Sequence, residues 1–360
     1  MQTPIDDLLR RAVEANASDL HLKVGSPPVI RIDGELMRLA DLPGLRPADT
    51  EGYAQAIFTQ KASADFRQNN EADFAYGRQD LGRFRVSVFR QRGSVSLVMR
   101  RVVPGVPSME RLGVPPVVKR LAAEPRGLVL FTGPAGSGRT TTIAAFIEHI
   151  NATRPVSVVT VEDPIEVLFP DRLAVISQRE VGVDTADYAE GVRRAIRQDA
   201  DVIMISEIAD GPTAAAAIAA AETGHLVAGV MHTADPMDSI NRFVELFPPS
   251  QQRTARSQLA GLLRGVVSHR LIDSTDGSGL VLATEILTSN ERVRERILGD
   301  AAVEDYVEVM KDAEFFGMRT FDQSLLELVK ARKVAVAAAL GHVRNPHEFR
   351  AKALEAGVEV

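Results

Sequence analysis

The sequence predicts an α/β protein made of a small N-terminal α+β domain, an α/β core and a helical C-terminal region. Three observations point to it. Short stretches before residue 103 alternate apolar and polar residues between Gly-containing turns, as half-buried antiparallel strands do. Five apolar runs between residues 127 and 232 are continuous enough for strands buried on both faces. Beyond residue 250 the pattern becomes amphipathic with a helical period.

Each element follows in order. Residues 4 to 17 place Leu8, Leu9, Ala12 and Val13 on one side of a helix, and ASDLHL then switches towards alternation. PPVIRIDGEL (27–36), GRFRVSVFRQ (82–91) and SVSLVMRRV (94–102) complete an antiparallel sheet. The Pro-rich PGVPSMERLGVPP (104–116) reads as a linker. GLVLFTG (127–133), SVVTVED (157–163), LAVISQ (173–178), DVIMISE (201–207) and LVAGVMH (226–232) are the core strands. SQQRTARSQLAGLLRGVVSHRLI, then the segment containing ERVRERIL, then FDQSLLELVKARK read as helices. The expected divisions are 1–103, a linker 104–116, a core 117–275 and a helical region 276–360.

Composition narrows the function classes. A chain of 360 residues with 45% apolar content exceeds a typical single domain. The 42 basic and 48 acidic residues leave a formal charge of −6, so no overall field draws the chain to nucleic acid or anionic lipid. Cysteine is absent, which removes disulfides and thiolate zinc sites. The N-terminus carries acids where a secretory signal carries bases, and the most apolar helix, AAAAIAAA at 214–221, is too short to span a bilayer. A cytoplasmic location without direct membrane insertion is expected.

Four stretches bear chemistry. GPAGSGRTTT (133–142) fits the phosphate-loop pattern G-x-x-x-x-G-K-[ST] at Gly133, Gly138 and Thr140, but Arg139 stands in the lysine position. A strand precedes the loop and a helix follows, so its backbone N–H groups can converge on phosphate oxygens. The alternative is a Gly-rich turn that binds nothing. A planar guanidinium does not substitute for a compact ammonium at a tight site, so Arg139 weakens turnover more than binding. Glu207 ends the apolar strand DVIMISE, as a magnesium-site acid does and as an ordinary surface carboxylate also does. Glu162 and Asp163 end SVVTVED before Pro164; one could polarise water, or the pair is an acidic corner. His225 and His232 are seven residues apart and on opposite faces of a strand, which opposes a two-histidine metal site.

The order of GPAGSGRTTT, TVEDPIE, DVIMISEIAD and AETGHLVAGVMHT resembles the Walker A, Asp box, Walker B and His box of the secretion ATPase superfamily. ASDLHLKVGSPPVIRIDGEL, LRGVVSHRL and FGMRTFDQSLLEL are similar to the PilT-like branch, the ATPases that retract type IV pili. The resemblance spans about residues 5 to 350. It implies a PAS-like N-terminal domain, a RecA-like ATPase domain and a homohexameric ring using ATP and Mg2+. Gly133, Gly136, Ser137, Gly138, Arg139, Thr140 and Thr141 would hold phosphate, with Thr140 and Glu207 at the magnesium. Glu162 would be the catalytic base, Glu207 the Walker B acid, and His232 the γ-phosphate sensor supported by His225. Arg85 and Arg100 would be arginine fingers. The resemblance also implies an inner-membrane pilus platform partner, a peripheral place at the cytoplasmic face of that membrane, and a role for a second pilus ATPase.

Two absences oppose the assembly and type II secretion branch, which carries a CxxC pair and a larger N-terminal extension. Departures favour a competing reading, a weakly active or inactive nucleotide-binding paralogue with a regulatory role. Besides Arg139, SEIAD has Ser206 and Ala209 where retraction motors show GExRD, and RVRERI (292–297) replaces AIRNLI, keeping Arg294.

Overall fold

The structure is a computed structural model that describes residues 4–358 except 33, 103–104, 278, 300–302 and 313–315, with 303–305 and 312 as backbone only. The boundary expected between 103 and 104, and Asp33 of PPVIRIDGEL, lie outside the described residues. The chain divides into one unit of residues 1–105 with 166–168, and a second of 106–165 with 169–360.

In the first unit, α1 (Ile5–Glu14) buries Ile5, Leu8, Leu9 and Ala12 and has Asp6 and Asp7 in its first turn, where acids complement the helix dipole. Complete burial of Leu8 and Leu9 stabilises by roughly 1.5–3 kcal/mol each. Strands β1 (Asp19–Leu22), β2 (Val29–Ile32) and β3 (Glu35–Arg38) are followed by helices α2 (Pro47–Ile57) and α3 (Gln60–Asn69). Strands β4 (Glu71–Arg78), β5 (Gly82–Gln91) and β6 (Ser94–Val102) complete a six-stranded antiparallel sheet of order β3-β2-β1-β6-β5-β4. The alternating burial of β5, with Phe84, Val86 and Val88 inward, is the period-2 pattern seen in the sequence.

The second unit begins with 106–116, in which Met109 and Val114 are buried, and α4 (Val117–Ala122). Next come β7 (Gly127–Thr132), α5 (Arg139–Thr153), β8 (Ser157–Glu162), β9 (Val175–Glu180), α6 (Tyr188–Ala195), β10 (Val202–Ile205), α7 (Gly211–Glu222) and β11 (Leu226–Met231). Then follow α8 (Pro236–Glu245), α9 (Pro249–Leu262), β12 (Leu263–Asp273) and β13 (Leu280–Thr288). Helices α10 (Glu291–Leu298), α11 (Val303–Asp312), α12 (Phe321–Lys330), α13 (Val336–Leu340) and α14 (Pro346–Glu355) complete the chain. The sheet order is β13-β12-β7-β11-β10-β8-β9, parallel except for β13. Every residue of β7, β10 and β11 is buried, so helices cover both faces.

Three expectations are corrected. SQQRTARSQLAGLLRGVVSHRLI is not one helix: α9 stops at Leu262, and LRGVVSHRLID is β12, paired with β7 and β13. Burial of β12 on both faces removes the period-2 signature, while Gly265 and the β-branched Val266 and Val267 favour strand over helix. With β13 also in the sheet, the helical part starts at Glu291 and not at 276. LAVISQ is an edge strand and not a doubly buried one, with Leu173 and Val175 exposed. Among the described residues, no helix is long and apolar enough to cross a membrane.

Candidate active site

Parallel strands bring their C-terminal ends to one edge, where the following loops form ligand sites in open α/β sheets. Strand β7 ends there at Thr132. Gly133 follows at φ 145°, where a Cβ would lie 2.5 Å from Ser137 Oγ and 2.7 Å from the His269 carbonyl, so only glycine fits. Gly138, at φ 94°, caps α5, whose first turn contains Arg139, Thr140 and Thr141. The N–H groups of that turn have no partner inside the helix and form an anion-binding end. Ser137 Oγ is buried and has no hydrogen-bond partner among the described residues, an orphan that a phosphate oxygen would satisfy. The loop rests on β12: Thr132 Oγ1 lies 2.7 Å from Ser268 Oγ, and the Thr132 carbonyl accepts from His269 Nδ1 at 2.9 Å. A cavity of about 580 Å3 opens beside Gly138, Thr141 and Thr142, between residues 110–113 and the β12–β13 turn. That volume suits a nucleoside-sized ligand.

The neighbouring strands deliver acids to the same edge. Glu162, the last residue of β8, is buried, and its Oε1 accepts from Thr160 Oγ1 at 2.6 Å and Gln178 Nε2 at 2.9 Å. Ser206 follows β10; its hydroxyl accepts from the Asp163 N–H at 3.2 Å and shares a 3.0 Å hydrogen bond with the Tyr188 hydroxyl. Burial pushes Tyr188 up to about 12 against the Ser206 hydrogen bond, and the charges of Asp163, Glu207 and Glu162 add to the rise. Glu207 Oε1 lies 3.4 Å from Nε2 of His232, just beyond β11. Arg139 closes the group: its buried guanidinium donates through Nη1 to the Met231 carbonyl at 2.9 Å. Burial lowers its affinity for the proton and the charge of Glu207 opposes that shift. Phosphate loop, Arg139, Glu207 and His232 therefore share one end of the sheet.

The type II/IV secretion system protein family model matches residues 1–298. The chain belongs to that family. It is 37% identical over 345 residues to the type IV pilus retractation ATPase PilT of Pseudomonas aeruginosa, covering 96% of this chain and 99% of that protein. It is 36% identical over 318 residues to a twitching motility protein of Neisseria gonorrhoeae, covering 88% and 84%. Among solved structures it is similar to the pilus retraction motor PilT with bound ADP, at TM-score 0.86 and 38% identity over 97% of this chain and 99% of that one.

Not every residue expected from the family pattern reaches this edge. Leu226 pairs with Gly127 at the start of β7 and Met231 with Thr132 at its end, so His225 and His232 are separated by the length of β11, about 20 Å at ~3.3 Å per residue. His225 is buried, with Nδ1 2.9 Å from the Ala220 carbonyl and 3.2 Å from Thr223 Oγ1, and it closes the end of α7. Within this chain its ring is engaged by α7, at the opposite end of β11 from the phosphate loop. Arg85 and Arg100 belong to the first unit, where they face each other across β5 and β6. Arg100 donates through Nε to the buried Asp19 at 2.8 Å, and Arg85 is exposed. The two cations lie in direct register, and the Asp19 carboxylate balances Arg100.

Among the described residues, no group of three or more His, Cys, Asp or Glu could hold a metal ion. A divalent cation would therefore rely on Thr140, Glu207 and the nucleotide's own phosphates, which suits magnesium, an ion that keeps few protein ligands. Three groups escaped the sequence reading. Tyr188 has no local motif, and His269 stands in LRGVVSHRL without a role that its local pattern shows. The third is Arg344, which lies 3.3 Å from Glu285 and 3.4 Å from Asp235, the N-cap of α8 just after His232, and so ties the C-terminal helices to the loop after β11.

Proposed function

We propose that this chain is a hexameric motor ATPase that couples ATP hydrolysis to type IV pilus retraction and twitching motility. The supporting observation is the convergence of Gly133–Arg139, Glu207 and His232 at one end of the sheet, in a chain similar end to end to a retraction ATPase. Loop N–H groups and Ser137 hold the phosphates, and the cavity beside Thr141 and Thr142 receives the nucleoside. When bound, magnesium neutralises charge on the β and γ phosphates; Thr140 and Glu207 are the residues that would hold it. Glu162, oriented by Thr160 and Gln178, takes the proton from the attacking water. His232 reads the γ-phosphate from beside Glu207. The ring works at the cytoplasmic face of the inner membrane, held there by the pilus platform.

A slow, regulatory subunit is the second reading, favoured by one observation: the Arg139 guanidinium is bonded to the Met231 carbonyl. Deleting the gene tests the motor reading in cells. Surface pili should accumulate and twitching should stop, with rescue by the wild-type chain and not by Glu207→Ala. Unchanged piliation and motility would overturn the retraction role, and rescue by Glu207→Ala would favour the regulatory subunit.

A further inference from the structure

Strand β12 places a histidine directly behind the phosphate loop. His269 is completely buried, and its ring is fixed by Nδ1, which must carry the proton because its partner, the Thr132 carbonyl, only accepts. Nε2 is then a bare acceptor, buried without a hydrogen-bond partner among the described residues. Burial, aided by the charge of Arg139, lowers the imidazole to about 4, so the ring is neutral and Nε2 keeps its lone pair at physiological pH. An orphaned buried acceptor is costly and calls for an explanation. Thr132, whose carbonyl His269 caps, is paired across β7 and β11 with Met231, whose carbonyl is capped by Arg139; that guanidinium has five N–H donors and spends one there.

We propose that His269 is a positioning residue for Arg139: on nucleotide binding its Nε2 accepts a guanidinium N–H, so that Met231 and His269 hold the back of the fork while the remaining donors face the phosphates. A lysine ammonium has three donors around a point charge and needs no such bracket. An arginine in this loop must be oriented, and the histidine on the adjacent strand does this. The proposal rests on the reading that the loop binds nucleotide.

The test is a double-mutant cycle on the full-length protein, read by affinity for a fluorescent ADP analogue, by ADP-induced shift of the melting temperature, and by kcat and KM for ATP. Histidine 269 is changed to Leu, which removes the acceptor, and to Gln, whose amide can donate to Thr132 and accept from Arg139. His269→Leu should weaken analogue binding and lower kcat/KM about tenfold, the loss expected for one hydrogen bond to a charged group. His269→Gln should restore most of it. With R139K in place, the same His269→Leu change should cost less than about twofold. Equal losses in both backgrounds, or a loss of ligand-free melting temperature that accounts for the whole effect, would make His269 a packing residue and overturn the proposal. No loss in the arginine background would overturn it too. If the wild-type chain binds no analogue, the nucleotide reading itself falls; if it binds and the coupling is absent, only the bracket falls.

Discussion

The two ends of β11 show the same residue type in opposite employment. At its start, His225 is buried against the end of α7 with its Nδ1 bonded to the Ala220 carbonyl. Just past its end, His232 is 53% exposed and 3.4 Å from Glu207. Burial and hydrogen bonding complete the first; the second is left open beside an acid and the phosphate loop. The difference follows from the parallel sheet, which sends loops with unpaired backbone groups to the C-terminal edge and closes the other edge with helix ends.

The sharpest way to break this comparison is to remove each histidine in turn. His232→Ala should lower ATP turnover by about 10–100-fold while nucleotide affinity changes little, because sensing acts on the transition state. His225→Ala should leave turnover within about twofold and cost about 1 kcal/mol of stability, the typical worth of a lost buried hydrogen bond. Steady-state kinetics and urea unfolding of the two variants check both halves. Equal loss of turnover from both would contradict the division between the two ends.

A smaller effect comes from the C-terminal side of the sensor loop. Burial raises Glu285 from its ordinary 4.5 to about 7, outweighing the nearby Arg344 and Arg270, while the charge of Asp235 adds to the rise. Folding therefore takes up a proton in that interval. The contribution is fully present below pH 4.5 and is lost as pH rises through about 7. Glu285→Gln should remove this dependence, so its stability relative to wild type should improve by on the order of 2 kcal/mol from acid to mildly alkaline pH. Urea midpoints across that range give the answer, and parallel curves would contradict it. The smallest effect lies in the first unit: Arg85→Ala should leave stability unchanged or raise it by about 0.2–1 kcal/mol, because it relieves the register with Arg100.

How much of this was legible in the sequence depended on whether local pattern and chemistry coincided. The placement of the loop, Glu162, Glu207 and His232 at one edge is legible because a strand pattern ends at each chemically distinctive residue. β12 was read as helix because a strand buried on both faces loses its alternation, and Gly265 and Val266–Val267 were too weak a counter-signal. His225 was assigned with His232 because spacing alone does not say which end of a strand faces a ligand. The partners of Tyr188, His269 and Arg344 are not legible because each lies 18 or more residues away in sequence, at Ser206, Thr132 and Glu285. Arg139 was legible as a departure, but its bond to Met231 needed the fold.

The central claim is that the edge shared by the phosphate loop, Glu207 and His232 hydrolyses ATP despite Arg139. Phosphate release by the purified chain, with magnesium and with a chelator, beside Glu207→Ala, tests it most directly. Magnesium-dependent release at least about 100-fold above the Glu207→Ala background is expected. Release by the wild-type chain no faster than by Glu207→Ala would contradict it.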